Sequence, residues 1–514
     1  MNSIEAYLEL DAQCCPDKVA LISSAGSITY SQLWQQVLQR ADGLPRRQFI
    51  PFRASQTADF LIQYFAIHLA GSVAVPLERD IPEGRYQSVC QYLARSEVPA
   101  GAADVLFTTG TTGRPKGVVI SHSAIVADAE NLIEGQGYSS RLTFVVHGPL
   151  SHIGSLSKVW PVILKGATLH ILDGLRDADA FFRAFSGEGR YATFFVPANI
   201  RYLLSFDSCR FASLADRLDF IESGGAPLAH ADMLRLCQML PRTRLYNTYA
   251  STETGIVATY NFNLNSELPA PAGGGNLNSE LPAPVRGGNF NSELPAPVRG
   301  GNLNSELPAP VRGGILNSEP PAPAGGGNLN SELPAPVRGG DRGGVCGPAD
   351  CLGQPMRHSR VVITPGGLIA CQGDTLMSGY VGDPDLTVSV LCGQTVYTSD
   401  RGWLDAQGRL HIGGRADDII NVGGYKVAPT EVEDAALAIP GIKDCICISA
   451  PHPIMGRALK LLVVMADGTA FSKRAVARSL AATLEPYKVP LLYEQVSSVA
   501  RTYNGKLDRR HYHS

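Results

Sequence analysis

Residues 106–122 read LFTTGTTGRPKGVVISH. Between Thr108 and Gly117 stand four threonines, three glycines, one proline and two cations, with an apolar run on each side. Glycine has no Cβ, so backbone N–H groups can turn toward an anion. Threonine hydroxyls add donors, and Lys116 adds a charge. Thr108, Thr109, Gly110, Thr111, Thr112 and Gly113, with Lys116, therefore compose a clasp for a polyphosphate. It is not the P-loop pattern, which needs Gly-Lys-Ser/Thr, because here Gly117 follows Lys116.

Around this clasp the chain alternates short apolar runs with amphipathic stretches. ADFLIQYFAIHLAGSVAVPL reads as a helix, a break at Gly71 and a buried strand. ATFFVPANIRYLLSF and LDFIESGGAPLAHADMLRLCQML read as strand, turn, helix. Strands separated by helices imply largely parallel α/β sheets. After the middle of the chain, SRVVITPGGLIACQGD and TVYTSDRGWLDAQGRLHIGGR predict hairpin-rich β structure. From about Ala416 a compact α+β unit follows. TEVEDAALAIPGIKDCICISA gives helix then strand, LKLLVVMAD a strand and SKRAVARSLAATLEPYKVP a helix.

One segment breaks the pattern. Asn263 to Gly340 are six tandem copies of a 13-residue unit, NLNSELPAPVRGG with small changes. Of these 78 residues, 27 are Gly or Pro, a composition that predicts a disordered or polyproline-like insert. The alternative, a solenoid, needs more apolar side chain per repeat than this unit carries. Lengthening a surface loop this far costs only on the order of 1.5 kcal/mol in closure entropy, so the insert is compatible with an intact fold.

The 514 residues suit a large enzyme of two or more domains, and 44% hydrophobic content suits a sizeable core. A net charge of −3 gives no support for nucleic-acid binding. The 11 cysteines show no CxxC pairs or interleaved His ligands, as expected of reduced thiols. The N-terminus shows no signal-peptide pattern, and no apolar run is long enough to span a membrane, so a cytoplasmic setting is expected.

TTGTTGRPKG resembles the phosphate-loop signature of the AMP-forming adenylate-forming superfamily, which includes acyl- and aryl-CoA ligases, peptide-synthetase adenylation domains and firefly luciferases. Three further stretches resemble its signatures, in family order. YNTYASTETG (246–255) is similar to the adenine and magnesium motif. YTSDRGWLDAQGRLHIGGRADDIINVGGYKVAPTEVE (397–433) is similar to the ribose and hinge segment, and RTYNGKLDRR (501–510) to the catalytic-lysine motif. The resemblance spans the chain outside 263–340. It implies an α/β enzyme: a large N-terminal domain, 1–416, of parallel and mixed sheets with helices plus a β-rich subdomain, and a small mobile α+β domain, 417–514.

The resemblance also implies roles. ATP and a carboxylic acid would give acyl-AMP and pyrophosphate, and a thiol would then displace AMP. Tyr249 would lie by the adenine, Thr252 by the α-phosphate, and Glu253 would hold Mg²⁺ through its carboxylate. Asp400 would accept the ribose hydroxyls, Arg415 would add positive charge, and Lys506 would stabilise the transition state. Asp417 would be the hinge, and Gly423 and Gly424 would let a pantetheine arm approach. His152, Gly224, Gly225 and Ala226 would line the acyl pocket.

HGPLSHIGSL (147–156) resembles the acyl- and aryl-CoA ligase stretch. Ile153 stands where amino-acid-activating members carry an Asp for the ammonium group, which disfavours a primary α-amino acid. Ala250 replaces a usual glycine, and the region between Pro82 and Asp104 is short, so pocket shape is open. Three functions are weighed. The first is a ligase making a CoA thioester. The second is a stand-alone adenylation enzyme loading a phosphopantetheinyl carrier protein in trans. The third is a degenerate nucleotide-binding protein that uses the repeats as a tether; the full set of expected catalytic residues counts against it.

Overall fold

The computed structural model describes residues 3–109, 115–266, 346–418, 420–422, 425–452, 456–484, 486–502 and 505–512. Gly110, Thr111, Thr112, Gly113, Gly423, Gly424 and most of the repeat segment lie outside these residues.

Among the described residues, eight strands form one sheet. Its order is Gly255–Asn261, Arg244–Ser251, Leu218–Gly224, Arg190–Phe195, Leu142–Val146, Thr168–Ile171, Val19–Ser23 and Gly26–Thr29. The inner strands pair in parallel, and antiparallel hairpins close both edges. A second sheet runs Gly379–Tyr380, Pro115–Ser121, Ala102–Thr109, Val73–Leu77 and Phe49–Arg53. Strands Phe49–Arg53, Val73–Leu77 and Ala102–Thr109 are parallel, and Pro115–Ser121 folds back antiparallel on Ala102–Thr109. The two strands that flank the clasp pair with each other, with Thr108 opposite Lys116.

Two helices start on side-chain caps that their sequence supplies. Thr29 and Gln32 form a reciprocal capping box that starts helix Tyr30–Ala41. Ser121 Oγ accepts from Ala124 N–H at 3.1 Å to start helix His122–Gln136, which ends at Gly137 with φ 71°. Between sheets and helices lies a core containing Trp160, Phe60, Phe65 and Phe144, all essentially inaccessible. Helix Lys473–Ala481 is shorter than its sequence pattern. It gives way to a 3₁₀ turn at Pro486–Lys488, because proline cannot continue the hydrogen-bond ladder.

The β-rich middle is a sheet in the order Cys351–Gly353, Leu410–Arg415, Thr395–Leu404, Leu368–Gly373 and Ser359–Ile363. From Ile420 onward the chain builds its own cores around the sheet Ile442–His452, Gly456–Met465 and Leu492–Gln495. No helix among the described residues is long and apolar enough to cross a membrane.

The start of the insert is corrected. Asn263 is buried, and its side-chain amide donates to the carbonyls of Leu240 at 3.0 Å and Thr243 at 2.8 Å. Asn263 also pairs with Cys346 in an antiparallel bridge. The first repeat therefore begins as folded chain through Ser266. Repetition hid this, because the same Asn in later copies looks identical in sequence.

Candidate active site

Strand ends and turns deliver the site residues. Parallel strands place their C-terminal ends on one edge, where ligands bind in open α/β sheets. There strand Leu218–Gly224 ends and turns at Gly225, whose φ of +78° favours glycine. A Cβ at Gly225 would stand 3.8 Å from Lys506 Cε and 3.6 Å from Val196 Cγ1. Lys506 follows Gly505, itself at φ +76°, where a Cβ would come within 3.3 Å of Val196 Cγ2. Two glycines on either side of Val196 thus let the C-terminal loop settle against the sheet edge. Ala226, next along, is half-buried.

Asp400 and Arg415 are cross-strand partners, with Arg415 Nε 3.8 Å from Asp400 Oδ1. Tyr249 Oη donates to the other carboxylate oxygen, Oδ2, at 2.7 Å. Burial, then the Asp400 charge, pushes the Tyr249 phenol well above its usual range, so it stays a donor. Thr252 and Glu253 sit in the turn between Arg244–Ser251 and Gly255–Asn261. Helix His122–Gln136 pins this turn: Asp128 Oδ1 accepts from Ile256 N–H at 2.7 Å. Gly255 is obligatory here, since a Cβ would lie 2.6 Å from Asp128 Oδ1 and 2.7 Å from Thr375. Met377 N–H donates to the Glu253 carbonyl at 3.0 Å.

Tyr380 links two expected residues and was missed in the sequence. Its hydroxyl donates to Glu253 Oε1 at 3.0 Å, and Lys116 Nζ stands 5.6 Å from its ring centroid. Tyr380 reaches this place through a two-residue strand paired with Val118 and Val119, a pairing no local pattern announces. Glu253 keeps a second carboxylate oxygen, a hard donor that fits Mg²⁺.

His152 occupies the position just before helix Ile153–Leu164, and its side chain does not cap that helix. Burial, then nearby Lys506, holds its imidazole down at about 4. Lys506 retains accessible surface, yet protein crowds it. Loss of water, then Arg415, lowers its ammonium, against Asp400 and Glu253. Lys506, Arg415, Asp400, Glu253 and His152 therefore share one electrostatic site. Thr108 and His152 border one small open cleft of about 40 Å³. Asp417 lies in the 3₁₀ turn Ala416–Asp418, directly after the Arg415 strand. Thr109 closes the first clasp strand. Ala250 packs against the core beside a bulge in its strand.

Comparison with known proteins places the chain in a family. The AMP-binding enzyme model matches residues 91–281, and the AMP-binding enzyme C-terminal domain matches 431–506. The chain is 25% identical to feruloyl-CoA synthase of Amycolatopsis sp, over 96% of this chain and 95% of that one. It is 34% identical to human mitochondrial acyl-coenzyme A synthetase ACSM1 over 26% of this chain and 24% of that one. In fold it is similar to amide bond synthetase McbA from Marinactinospora thermotolerans, with TM-score 0.75, 19% identity and 99% of each chain covered. It is also similar to o-succinylbenzoate CoA synthetase from Bacillus subtilis, with TM-score 0.72, 17% identity and coverage of 99% and 98%. The chain belongs to the AMP-binding enzymes of the adenylate-forming superfamily. It is an AMP-forming ligase.

Proposed function

We propose that the chain activates a carboxylic acid with ATP and passes the acyl group to the thiol of coenzyme A. The observation that carries this reading is the placement of Lys506 over Gly225, in one electrostatic site with Asp400, Arg415 and Glu253. The likeness to feruloyl-CoA synthase along nearly the whole chain supports coenzyme A as acceptor.

In the first step a carboxylate oxygen attacks the α-phosphorus, and the bond to the pyrophosphate oxygen breaks. Lys506 stabilises the negative charge shared by carboxylate and α-phosphate. A positioned donor of this kind is worth roughly 10²–10³ in rate. Asp400, fixed by Tyr249, accepts from the ribose hydroxyls, with Tyr249 lying along the adenine. Arg415 adds positive charge beside them, and Thr252 donates to the α-phosphate. The clasp from Thr108 to Gly113 and Lys116 holds the outer phosphates. Glu253 would hold Mg²⁺, which when bound neutralises phosphate charge. His152, neutral at working pH, borders the carboxylate without competing for its charge. Gly224, Gly225 and Ala226 leave room for the acyl group.

In the second step the thiol sulfur attacks the acyl carbon, its proton passes to solvent, and the acyl–oxygen bond breaks to release AMP. Rotation about Asp417, between units 1–416 and 417–514, would withdraw Lys506 and bring Gly423 and Gly424 to the thiol channel. The 11 free cysteines fit a reducing cytoplasm. Exchange of labelled pyrophosphate into ATP, measured across a panel of carboxylic acids, tests the reading. Acid-dependent exchange, followed by coenzyme A thioester formation with the same acid, is expected. Exchange with no acid would overturn it.

A further inference from the structure

We infer that Cys237 and Cys346 form a reversible modification site, at which a small disulfide of the glutathione type joins the two sulfurs and so ties the chain beyond the repeat segment to helix His230–Met239. The inference does not depend on the ligase reading.

The helix supplies the first thiol. Met233, Leu236 and Cys237 are spaced three and four apart, so they share one face, and all three are buried. That face packs on a core that includes Phe262, the residue before the first repeat. The second thiol lies where the described chain resumes after the repeats, at Cys346. Cys346 packs on the same core and is only half-buried.

Phe262 brings the two together. Its carbonyl accepts from Gly347 N–H at 2.8 Å and lies 4.0 Å from Cys237 Sγ. Gly347 follows Cys346 directly, and Asn263, which follows Phe262, pairs with Cys346 in an antiparallel bridge. Gly347 admits no side chain, since a Cβ would stand 2.5 Å from Tyr260 Oη. These contacts hold Cys346 beside Cys237, whose thiol donates to the Cys346 sulfur. Both thiols are free, and side chains that already point at one another meet the first requirement of a disulfide.

The two sulfurs divide the chemistry. Cys346 is the one with open surface, and the hydrogen bond from Cys237 holds its thiol below the usual range. The thiolate is the attacking form. Cys346 Sγ attacks one sulfur of oxidised glutathione, and one glutathione leaves as a thiolate. With Cys346 capped, Cys237 loses the hydrogen bond that is the chief cause of its raised pKa. Cys237 Sγ then attacks Cys346 Sγ and expels the second glutathione. The two cysteines give up two electrons, oxidised glutathione takes them up, and both thiol protons end on the two glutathione thiols. Cys445 and Cys447 offer no such entry, because both are buried and burial pushes both thiols up.

The bond would close a long loop. Between Cys237 and Cys346 run the hairpin of strands Arg244–Ser251 and Gly255–Asn261 and the whole repeat segment. A crosslink over so long a stretch takes much freedom from the unfolded chain, so the oxidised form should melt higher.

The test treats the full chain with oxidised glutathione and then blocks the remaining thiols. Trypsin, followed by a protease that cuts before Asp350, separates Cys346 from Cys351. Mass spectrometry without reduction should find a Cys237–Cys346 linked peptide that dithiothreitol abolishes. Calorimetry should show the oxidised chain melting about 5 °C or more above the reduced one. Cys346→Ser should show neither the peptide nor the gain, although its other thiols meet the same oxidant. Cys237→Ala should instead keep glutathione on Cys346 as a mixed disulfide. Glutathione held on wild-type Cys346 with no linked peptide overturns the inference, and so does an oxidised wild type with neither. A linked peptide without a higher melting temperature overturns the tie. An equal gain in Cys346→Ser overturns it as well, because the effect then belongs to another thiol.

Discussion

Arg201 Nη1 stands 3.7 Å from Asp444 Oδ1, joining helix Pro197–Phe206 of the large α/β part to strand Ile442–His452 of the C-terminal part. Arg201 Nε also donates to Asp232 Oδ2 at 2.7 Å, and Arg501 pairs with Asp444 Oδ2 at 2.6 Å. Burial pushes nearby Asp434 up to about 7, against the pull of Arg201. These charges hold the seam through which the Lys506 loop reaches the sheet edge.

Removing the Arg201–Asp444 contact should loosen this arrangement without removing any group proposed to act in either chemical step. Arg201→Met should slow acyl-AMP formation several-fold and spare thioester formation from supplied acyl-AMP. A double-mutant cycle with Asp444→Asn should give a coupling of about 0.5–1 kcal/mol, weakening with salt. Equal loss in both half-reactions would show that the seam serves general stability instead.

Lys506→Ala should cost roughly 10²–10³ in acyl-AMP formation and leave thiol attack on supplied acyl-AMP near wild type. Gly505→Ala should imitate it in part. A side chain at φ +76° costs about 1–2 kcal/mol, and its Cβ would press on Val196. The two half-reactions assayed separately decide this: a variant that loses both alike contradicts the assignment of Lys506 to the first step.

Much of this was legible in the sequence for a physical reason. Helices Tyr30–Ala41 and His122–Gln136 carry their own caps, and buried strands such as Val73–Leu77 are unbroken apolar runs. Glu253, Asp400, Arg415 and Lys506 were singled out through the resemblance of their motifs to those of a known family, and their roles remain proposals. Tyr380 was not legible, because its position depends on pairing with Val118 across most of the chain. Nor was the buried ion pair of Lys158 with Glu222. Each residue reads singly as a surface charge, and only the meeting of a helix face with a strand face buries both. Asn263 was hidden by its own repeats.

His68 should make stability depend on pH at the alkaline end. It is fully buried between Glu5 Oε1 at 2.7 Å and Asp104 Oδ1 at 2.9 Å. Burial lowers its pKa, but the Glu5 charge and the bonds to Asp104 and Glu5 outweigh that and lift it to about 10. Its folded pKa lies above the unfolded value near 6.5, so its contribution is whole below about 6.5 and is lost as pH rises through 10. His68→Gln leaves two buried carboxylates uncompensated, at a cost of about 3–5 kcal/mol. Melting curves of both proteins from pH 6 to 10.5 should therefore converge at the top of the range. A constant gap would mean His68 is neutral in the folded chain.

The repeats supply the last prediction, and Asn263 sets its terms. Removing 263–340 joins Phe262 to Asp341 and deletes the side chain that bonds the carbonyls of Leu240 and Thr243. Buried carbonyls left without donors cost about 1–3 kcal/mol each. Removing 267–342 instead keeps Asn263 through Ser266 and leaves a short loop to Cys346, its bridge partner. Closing a shorter loop stabilises by about 1–2 kcal/mol. The two deletions should therefore differ in sign: the shorter-sparing variant melts at or above the full-length chain, and the one beginning at Asn263 melts below it. Both should retain pyrophosphate exchange, since Lys116, Glu253, Asp400, Arg415 and Lys506 lie outside either cut. Differential scanning calorimetry with the exchange assay reads both quantities. Insolubility of the 267–342 deletion would show that the repeats carry part of the fold.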